Sequence, residues 1–590
     1  MTAAARPTGV AQFAFPLNVY ARMLELEQGR VDYLHYGLFE RRDEPVSQAQ
    51  ERATRLLWSV LPAPCRVLEV GIGLGTTLRS LAAAGYEVFG ITPDAAQVAE
   101  VRARLGDGVA LARTTLEDLG APECPWDLMV LQESAQYIDP LSLFEAADRL
   151  LSPRSATIVV MDEFALRRRQ ASDTGLHDLD AFLALARRMG WQLSEAHDVS
   201  AAASGTVHAI GRLVQQHRQA LLRQLDVAAS QLDELVAAAR RYQALYDQGV
   251  YGYRLMRLDR KVRPTLRLRH VGQSQSPSVR TLFEKVFGQP LSEAAWHWKY
   301  GDGRGNAIGL WREDALLAHY GCSTRMVCMD GAEVAACQVG DVMVLPEANA
   351  GLERQGAFQQ LAATGLEQGI GWGRPHLLGY GFPNARALRV AQRLGLYEPV
   401  DQVLQLEWQT LLSGRWSDRL LATQPVMADK LQPGDPAWQA LRKLWDAMRR
   451  ELPHALLPVR DPAWVRHRYG CRPGVNYQVH MLRWRLGGFP VGAFVLRLHD
   501  DHAELMDLIG PPGQMQNLLR AARSSARAQG LRLLRAWITA SHASWLDDPA
   551  DPARRVDIDV LVPTCRHTPG PGPDSLKGRW FLMGGDTDFR

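Results

Sequence analysis

Between residues 60 and 262 the chain alternates two rhythms of apolar positions. Short apolar runs (CRVLEV, YEVFGIT, WDLMVLQES, ATIVVMDEF) have the length of buried strands. TTLRSLAAAG, AAQVAEVRARLG and LSLFEAADRLL instead space their apolar residues three and four apart, which is one face of a helix. Strands alternating with helices predict a parallel, doubly wound α/β sheet, since parallel neighbours need a crossover and a helix supplies it.

Ahead of this region, residues 1–60 predict a helical N-terminal cap, from VYARMLELEQGRVDYLHYGLFE and SQAQERATRLLWSVL. Residues 165–248 predict a helical insertion, periodic over 176–191 and 206–247, before GYRLMRL at 252–258 returns as a late strand. The pattern changes at 262. Residues 263–412 mix helices with longer strand-like runs, which predicts a second α/β module. Residues 413–590 repeat that order loosely, and we expect a divergent internal duplication. The Pro/Gly-rich end keeps Trp580 and Phe581, which predicts an ordered lid or strand.

Composition adds exclusions. With 590 residues, about three domains are expected. Apolar residues make up 46% and charged residues 22%, an ordinary globular balance, and a net charge of +3 gives no reason to expect nucleic acid as a partner. No long apolar window predicts a membrane span, and the N-terminal stretch lacks the basic start and apolar core of a signal peptide. The seven cysteines (65, 124, 322, 328, 337, 471 and 565) form no CxxC pair, so neither a disulfide framework nor a thiolate metal site is expected. A reducing cytoplasm is the expected compartment, and a homodimer is a possible assembly.

The chemistry concentrates in LEVGIGLG, residues 68–75. Here a strand must end and a helix begin. Gly71, Gly73 and Gly75 allow a tight turn and close approach of a ligand, and the helix start offers free N–H groups. Glu69, inside the strand, would orient a cationic amino-acid ligand. The glycine pattern of dinucleotide-binding folds is not completed, and the next strand ends in GITPD rather than in an isolated acid.

These residues resemble the class I S-adenosylmethionine (SAM) methyltransferases over about 60–262. GITPDAAQ at 90–97 and the upstream HYGLFE…SQAQ are similar to the branch holding cyclopropane fatty acid synthases and small-molecule methyltransferases. The resemblance implies a Rossmann-like domain whose Gly71–Gly75 loop wraps the methionine part of SAM, beside Glu69. It places Thr92 and Asp94 near the ribose, Glu117 and Asp118 by the adenine, and Gln132 and Glu133 facing the sulfonium and acceptor. Methyl transfer from an activated sulfonium needs alignment and, for some acceptors, a base. Candidate bases or acceptor ligands are Glu133, Tyr33, His35, Tyr36 and His177.

GYGFPNARALRVAQRLGLYEPV at 379–400 resembles the last strand–helix–strand of GNAT acyltransferases, with Asn384 and Ala387 in the expected spacing. DVMVLPEANAGLERQGAFQQLA at 341–362 is similar to the strand, turn and helix that hold coenzyme A in that family. The resemblance implies that Arg354, Gly356, Ala357 and Asn384 serve acyl-CoA, the helix start facing phosphate. The loop is degenerate, since Arg354 stands only two residues before Gly356, and the tyrosine that often acts as acid falls at Ala391. Asp341, His319 and Tyr320 are the remaining polar candidates, with Asp341 the favoured one. Residues 413–590 read as a second, degenerate GNAT-like module; the prolines of GPPGQMQNLL remove N–H donors that a phosphate would want.

Three readings follow. In the first, a bifunctional enzyme methylates and acylates a small molecule or sugar-type metabolite, using SAM and acetyl-CoA or another acyl-CoA. In the second, the GNAT-like part only binds substrate or partner. In the third, the tandem half performs FemAB-like aminoacyl transfer.

Overall fold

The computed structural model describes residues 9–167, 175–261, 263–349, 356–410, 419–548 and 551–590. It divides into two compact units, one reaching to Arg269 and the other running over His270–Arg590.

The first unit is built on β1 (Arg66–Val70), β2 (Glu87–Thr92), β3 (Leu111–Arg113), β4 (Leu128–Gln132), β5 (Ala156–Ala165), β6 (Gln192–Asp198) and β7 (Tyr251–Arg260). They form one sheet in the order β3-β2-β1-β4-β5-β7-β6. The first five run parallel and β7 is antiparallel to both its neighbours. Every residue of β5 is buried, as are Leu128–Leu131, so these strands read as unbroken apolar runs rather than alternating ones. The helices are α1 (Leu17–Gln28), α2 (Val46–Ser59), α3 (Thr76–Ala83), α4 (Ala95–Leu105), α5 (Pro140–Leu150), α6 (Leu179–Arg188), α7 (Ser200–Gln216), α8 (Arg218–Gln224) and α9 (Ala229–Asp247). Asp94, Asp139 and Asp178 start α4, α5 and α6 by accepting backbone N–H groups of the first turn.

β1 sits between β2 and β4, so the winding reverses there, and a crevice opens beyond the carboxyl ends of the three strands. Glu69 lies in register with Gly90 on one side and Val130 on the other. The 165–248 segment is not wholly helical as expected: β6 forms one edge of the sheet. All but one of its residues are exposed, so no apolar alternation announces it.

The second unit opens with α10 (Ser276–Phe287) and α11 (Glu293–Tyr300), after the boundary strand β8 (Leu266–His270). β9 (Gly305–Arg312), β10 (Ala315–Met329) and β11 (Ala332–Val344) then form an antiparallel meander. α12 (Ala357–Gly369) leads to β12 (Leu378–Tyr380), which pairs parallel with β11 over three residues, and α13 (Ala385–Arg393) follows. β13 (Tyr397–Gln409) does not join this sheet. It lies between strands from the C-terminal part: β14 (Leu421–Val426), β15 (Leu457–Pro458), β16 (Gln478–Trp484), β17 (Pro490–Leu498), β18 (Ala503–Ile509), β19 (Leu533–Thr539) and β20 (Arg554–Cys565). Apart from β15, which pairs with β10, these make a sheet in the order β14-β16-β17-β18-β19-β13-β20. A strand from before residue 413 thus fills a place in the sheet formed after it, and the unit shares one core across that position. Trp580, Phe581, Leu582 and Met583 are fully buried, so the chain end is core rather than a lid. Cys322 and Cys337 are joined by a disulfide on the neighbouring strands β10 and β11, where the cysteine spacing predicted none.

Candidate functional site

A cavity of about 810 Å³ opens at the carboxyl ends of β1, β2 and β4 in the first unit. Its floor is the turn after β1. Gly71, Gly73 and Gly75 have φ of 83°, 51° and 74°, values that side-chain-bearing residues rarely adopt. The three differ in what surrounds them. A Cβ at Gly71 would meet Ser134 Cβ at 2.7 Å and one at Gly75 would meet Val101 at 2.9 Å, whereas one at Gly73 would meet only Leu34 at 3.8 Å. Gly71 and Gly75 let the turn pack, and Gly73 keeps room in the cavity.

Glu69 lines this space, buried, and its Oε2 has no hydrogen-bond partner. Burial alone pushes its carboxyl up to about 8. Gln132 also lines the cavity; its Oε1 accepts from Thr77 at 3.4 Å and its Nε2 has no partner. Thr92 donates to Gln97 Oε1 at 2.8 Å, and Asp94 accepts the Ala96 N–H at 2.7 Å, so both side chains brace the rim. Glu117 lines the mouth, with Thr115. Asp118 lies outside the lining and accepts from Thr115 at 2.9 Å.

Glu133 follows β4 with a positive φ of 56°, costly for a side-chain-bearing residue and found where surroundings enforce it. Its Oε1 accepts the backbone N–H of Tyr36 and the hydroxyl of Tyr253, the latter at 2.6 Å. The Tyr36 and Tyr253 rings stack with centroids 5.5 Å apart. Burial drives the Glu133 carboxyl well above the carboxylate range, and these hydrogen bonds oppose the rise only in part. His35 is buried; its Nδ1 lies 2.9 Å from the Tyr36 carbonyl and its Nε2 lies 3.2 Å from the Thr54 hydroxyl. Desolvation lowers it to about 4, so it is neutral at ordinary pH. The Tyr33 ring packs 4.8 Å from that of His35. His177 stands apart: it lies just ahead of α6, its Nε2 contacts the carbonyls of Ala135 and Ile138 at 3.1 and 2.9 Å, and it is not among the described lining residues.

Asp162 and Glu163, near the end of β5, are two further acids that no motif in the sequence marks. Both are buried, and Glu163 lines the cavity. Glu163 accepts from the Tyr246 hydroxyl at 2.6 Å. Asp162 accepts the Gln136 and Glu163 N–H groups at 3.0 and 2.8 Å. Burial lifts each to about 7. The adjacent acids in VVMDEF are the signal that could have found them.

In the second unit, the Asp341 side chain is tucked inside β11, where Lys299 Nζ and the Tyr300 hydroxyl both donate to it at 2.8 Å. Lys299 also reaches Asp588 at 2.8 Å. His319 sits beside them with Nδ1 2.8 Å from the Asp341 carbonyl. Tyr320 bonds to Tyr397 through their hydroxyls. Asn384 is the N-cap of α13, accepting the Ala387 N–H at 2.8 Å. Gly356 and Ala357 open α12, but the Asn349 side chain already accepts the Ala357 N–H at 3.0 Å. Arg354 lies outside the described residues. Ala391 is buried on α13. A cavity of about 310 Å³ is lined by Lys299, Arg325, Gln338, Trp464, His467 and Asp588, among others.

Sheet order, glycine turn and cavity define a Rossmann-like methyltransferase fold in the first unit, and the second unit begins with a GNAT fold. Residues 68–159 match the methyltransferase domain family, and residues 267–399 match the acetyltransferase (GNAT) domain family. The chain therefore carries a methyltransferase domain followed by a GNAT domain. No curated protein matches it. Among solved structures, the [4+2]-cyclase SpnF is 20% identical, covering 43% of this chain and 98% of its own, with a TM-score of 0.36. Cyclopropane synthase MmaA2 from Mycobacterium tuberculosis is 19% identical, covering 38% and 89%, with a TM-score of 0.31. A conserved protein from Enterococcus faecalis V583, described as a probable N-acyltransferase, is 11% identical, covering 51% and 72%, with a TM-score of 0.39.

Proposed function

We propose that the chain is a bifunctional enzyme: its first unit moves a methyl group from SAM to a small-molecule or sugar-type acceptor, and its GNAT-type part moves an acyl group from acyl-CoA. The observation that carries the first half is the unpartnered Oε2 of Glu69, buried on the wall of a cavity whose floor is the Gly71–Gly75 turn. A buried carboxylate without a partner is costly, and a ligand ammonium would supply the missing one. SAM fits this donor set. Glu69 would hold its amino group, Gly73 would leave room for its chain, and the rim of Thr92, Asp94 and Glu117 would meet its nucleoside end. Bound there, it supplies an electrophilic methyl group. The protein aligns the acceptor and keeps water out, and Glu133, held by Tyr36 and Tyr253, stands where a proton could be taken up.

A second reading, in which the GNAT part binds but does not catalyse, is favoured by Asn349, which occupies a helix N–H that a pyrophosphate would use. Thermal shift with SAM and with acetyl-CoA separates the two. Two independent shifts, with methylated and acylated products by mass spectrometry, support bifunctionality. A shift with SAM alone supports the second reading.

A further inference from the structure

We propose that the methyl acceptor is an amine carried on an apolar body, held between Glu163 and the tyrosines of the cap. This rests on the methyltransferase reading and narrows it to a substrate class.

The ionisable side chains of the cavity are of one kind. Among the described residues its lining includes six carboxyl side chains, Asp32, Glu69, Asp94, Glu117, Glu133 and Glu163, and none from Lys or Arg. The single lining histidine, His35, is held neutral by burial. An anionic acceptor would find no cationic side chain to offset its desolvation, whereas an ammonium finds carboxyl oxygens that accept its N–H groups. Glu69, Asp94 and Glu117 belong to the cofactor end of the cavity. Glu133 and Glu163 remain, with the buried Asp162 next to Glu163 along β5.

Aromatic rings surround this second pair. Tyr20 from α1, Tyr36 from the cap, Tyr242 from α9 and Tyr137 at the mouth all line the cavity. Ring faces next to carboxylates make a suitable setting for a substituted ammonium, which gains from both. Glu163 has one phenolic donor, Tyr246, and keeps acceptor capacity for an ammonium. The remaining wall is apolar: Met23 and Leu24 of α1, Ile210 and Leu213 of α7 and Leu235 of α9. The amine must therefore carry a hydrophobic body.

In the transfer, the ammonium held at Glu163 first gives one proton to the Glu133 carboxylate, which frees the nitrogen lone pair. That pair forms the N–C bond while the S–C bond breaks with its electron pair going to sulfur. The product leaves as the methylated ammonium, which now carries the positive charge.

The test is calorimetry on the full chain, with and without S-adenosylhomocysteine, titrating N-methylhexylamine and, separately, hexanoate. We expect the amine to bind and hexanoate not to. Glu163→Gln should weaken the amine at least tenfold and leave S-adenosylhomocysteine affinity unchanged, and Glu163→Asp should recover part of the loss. Tyr242→Phe should bind the amine nearly as wild type, and Tyr242→Leu should not. Equal binding of hexanoate, or an amine affinity indifferent to both Glu163→Gln and Tyr242→Leu, overturns the proposal. Amine binding that depends on Glu163 without any S-adenosylhomocysteine binding would keep the amine site and sink the methyltransferase reading. Binding of the nucleoside without the amine would do the reverse.

Discussion

The Tyr253 hydroxyl donates to Glu133 Oε1 at 2.6 Å, tying strand β7 to the turn after β4. The same oxygen takes the Tyr36 N–H, so one carboxyl organises the cap, the parallel part of the sheet and its antiparallel strand. Tyr253→Phe removes the donor that holds the Glu133 carboxyl down, and its titration should move further up. A hydrogen bond to a charged group contributes about 1.5–3 kcal/mol, so methyl transfer should fall roughly tenfold or more. The pH–rate profile checks this: its acidic limb should move to higher pH, and an unmoved limb would show that Glu133 takes no part.

The glycines of the turn should separate under substitution. Gly71→Ala forces a Cβ to within 2.7 Å of Ser134 Cβ at a φ of 83°, and should lower Tm and S-adenosylhomocysteine affinity together. Gly73→Ala meets only Leu34 at 3.8 Å, so its Tm should fall less while affinity drops at least tenfold. Differential scanning fluorimetry beside calorimetry reads both. Equal loss of Tm in the two variants would contradict the assignment of Gly73 to ligand space.

Stability of the unliganded protein should fall as pH rises from about 5 to 8. Glu69 is raised to about 8, and Asp162 and Glu163 to about 7, from ordinary values near 4. Across that window the folded state binds more protons than the unfolded chain, so stability decreases with pH and levels off above the raised values. Glu69→Gln should flatten the slope of Tm against pH. A slope unchanged by that substitution would show that Glu69 is not buried as a neutral acid.

Asp341 should behave as a structural partner of Lys299. Asp341→Asn leaves the buried ammonium one carboxylate short and should cost about 3 kcal/mol, seen as a drop in Tm of the second unit. Lys299 and the Tyr300 donor hold its carboxyl below the usual range, so this contribution is present at neutral pH and lost on acidification. Loss of acyl transfer with Tm unchanged would instead place Asp341 in the chemistry.

What the chain announced was local. The strand, turn and helix around Glu69 and Gly71–Gly75 lie within one βα unit, and their glycine spacing and apolar runs are set by backbone sterics and burial over about 20 residues. The GNAT region was legible for the same reason, through the spacing around Asn384. The polar edge strand β6 carried no apolar period, so nothing in its sequence marked it.

What only the tertiary structure decided was which distant residues share a space. Tyr253 reaches Glu133 across 120 positions and Tyr246 reaches Glu163 across 83. Asn384 proved to be a helix cap, and Asn349 sits on the helix start assigned to a phosphate. β13 left the sheet of its sequence neighbours for the next one. Sequence spacing encodes neighbours along a helix or strand, whereas the burial that shifts a carboxyl or closes a cavity depends on which elements pack together.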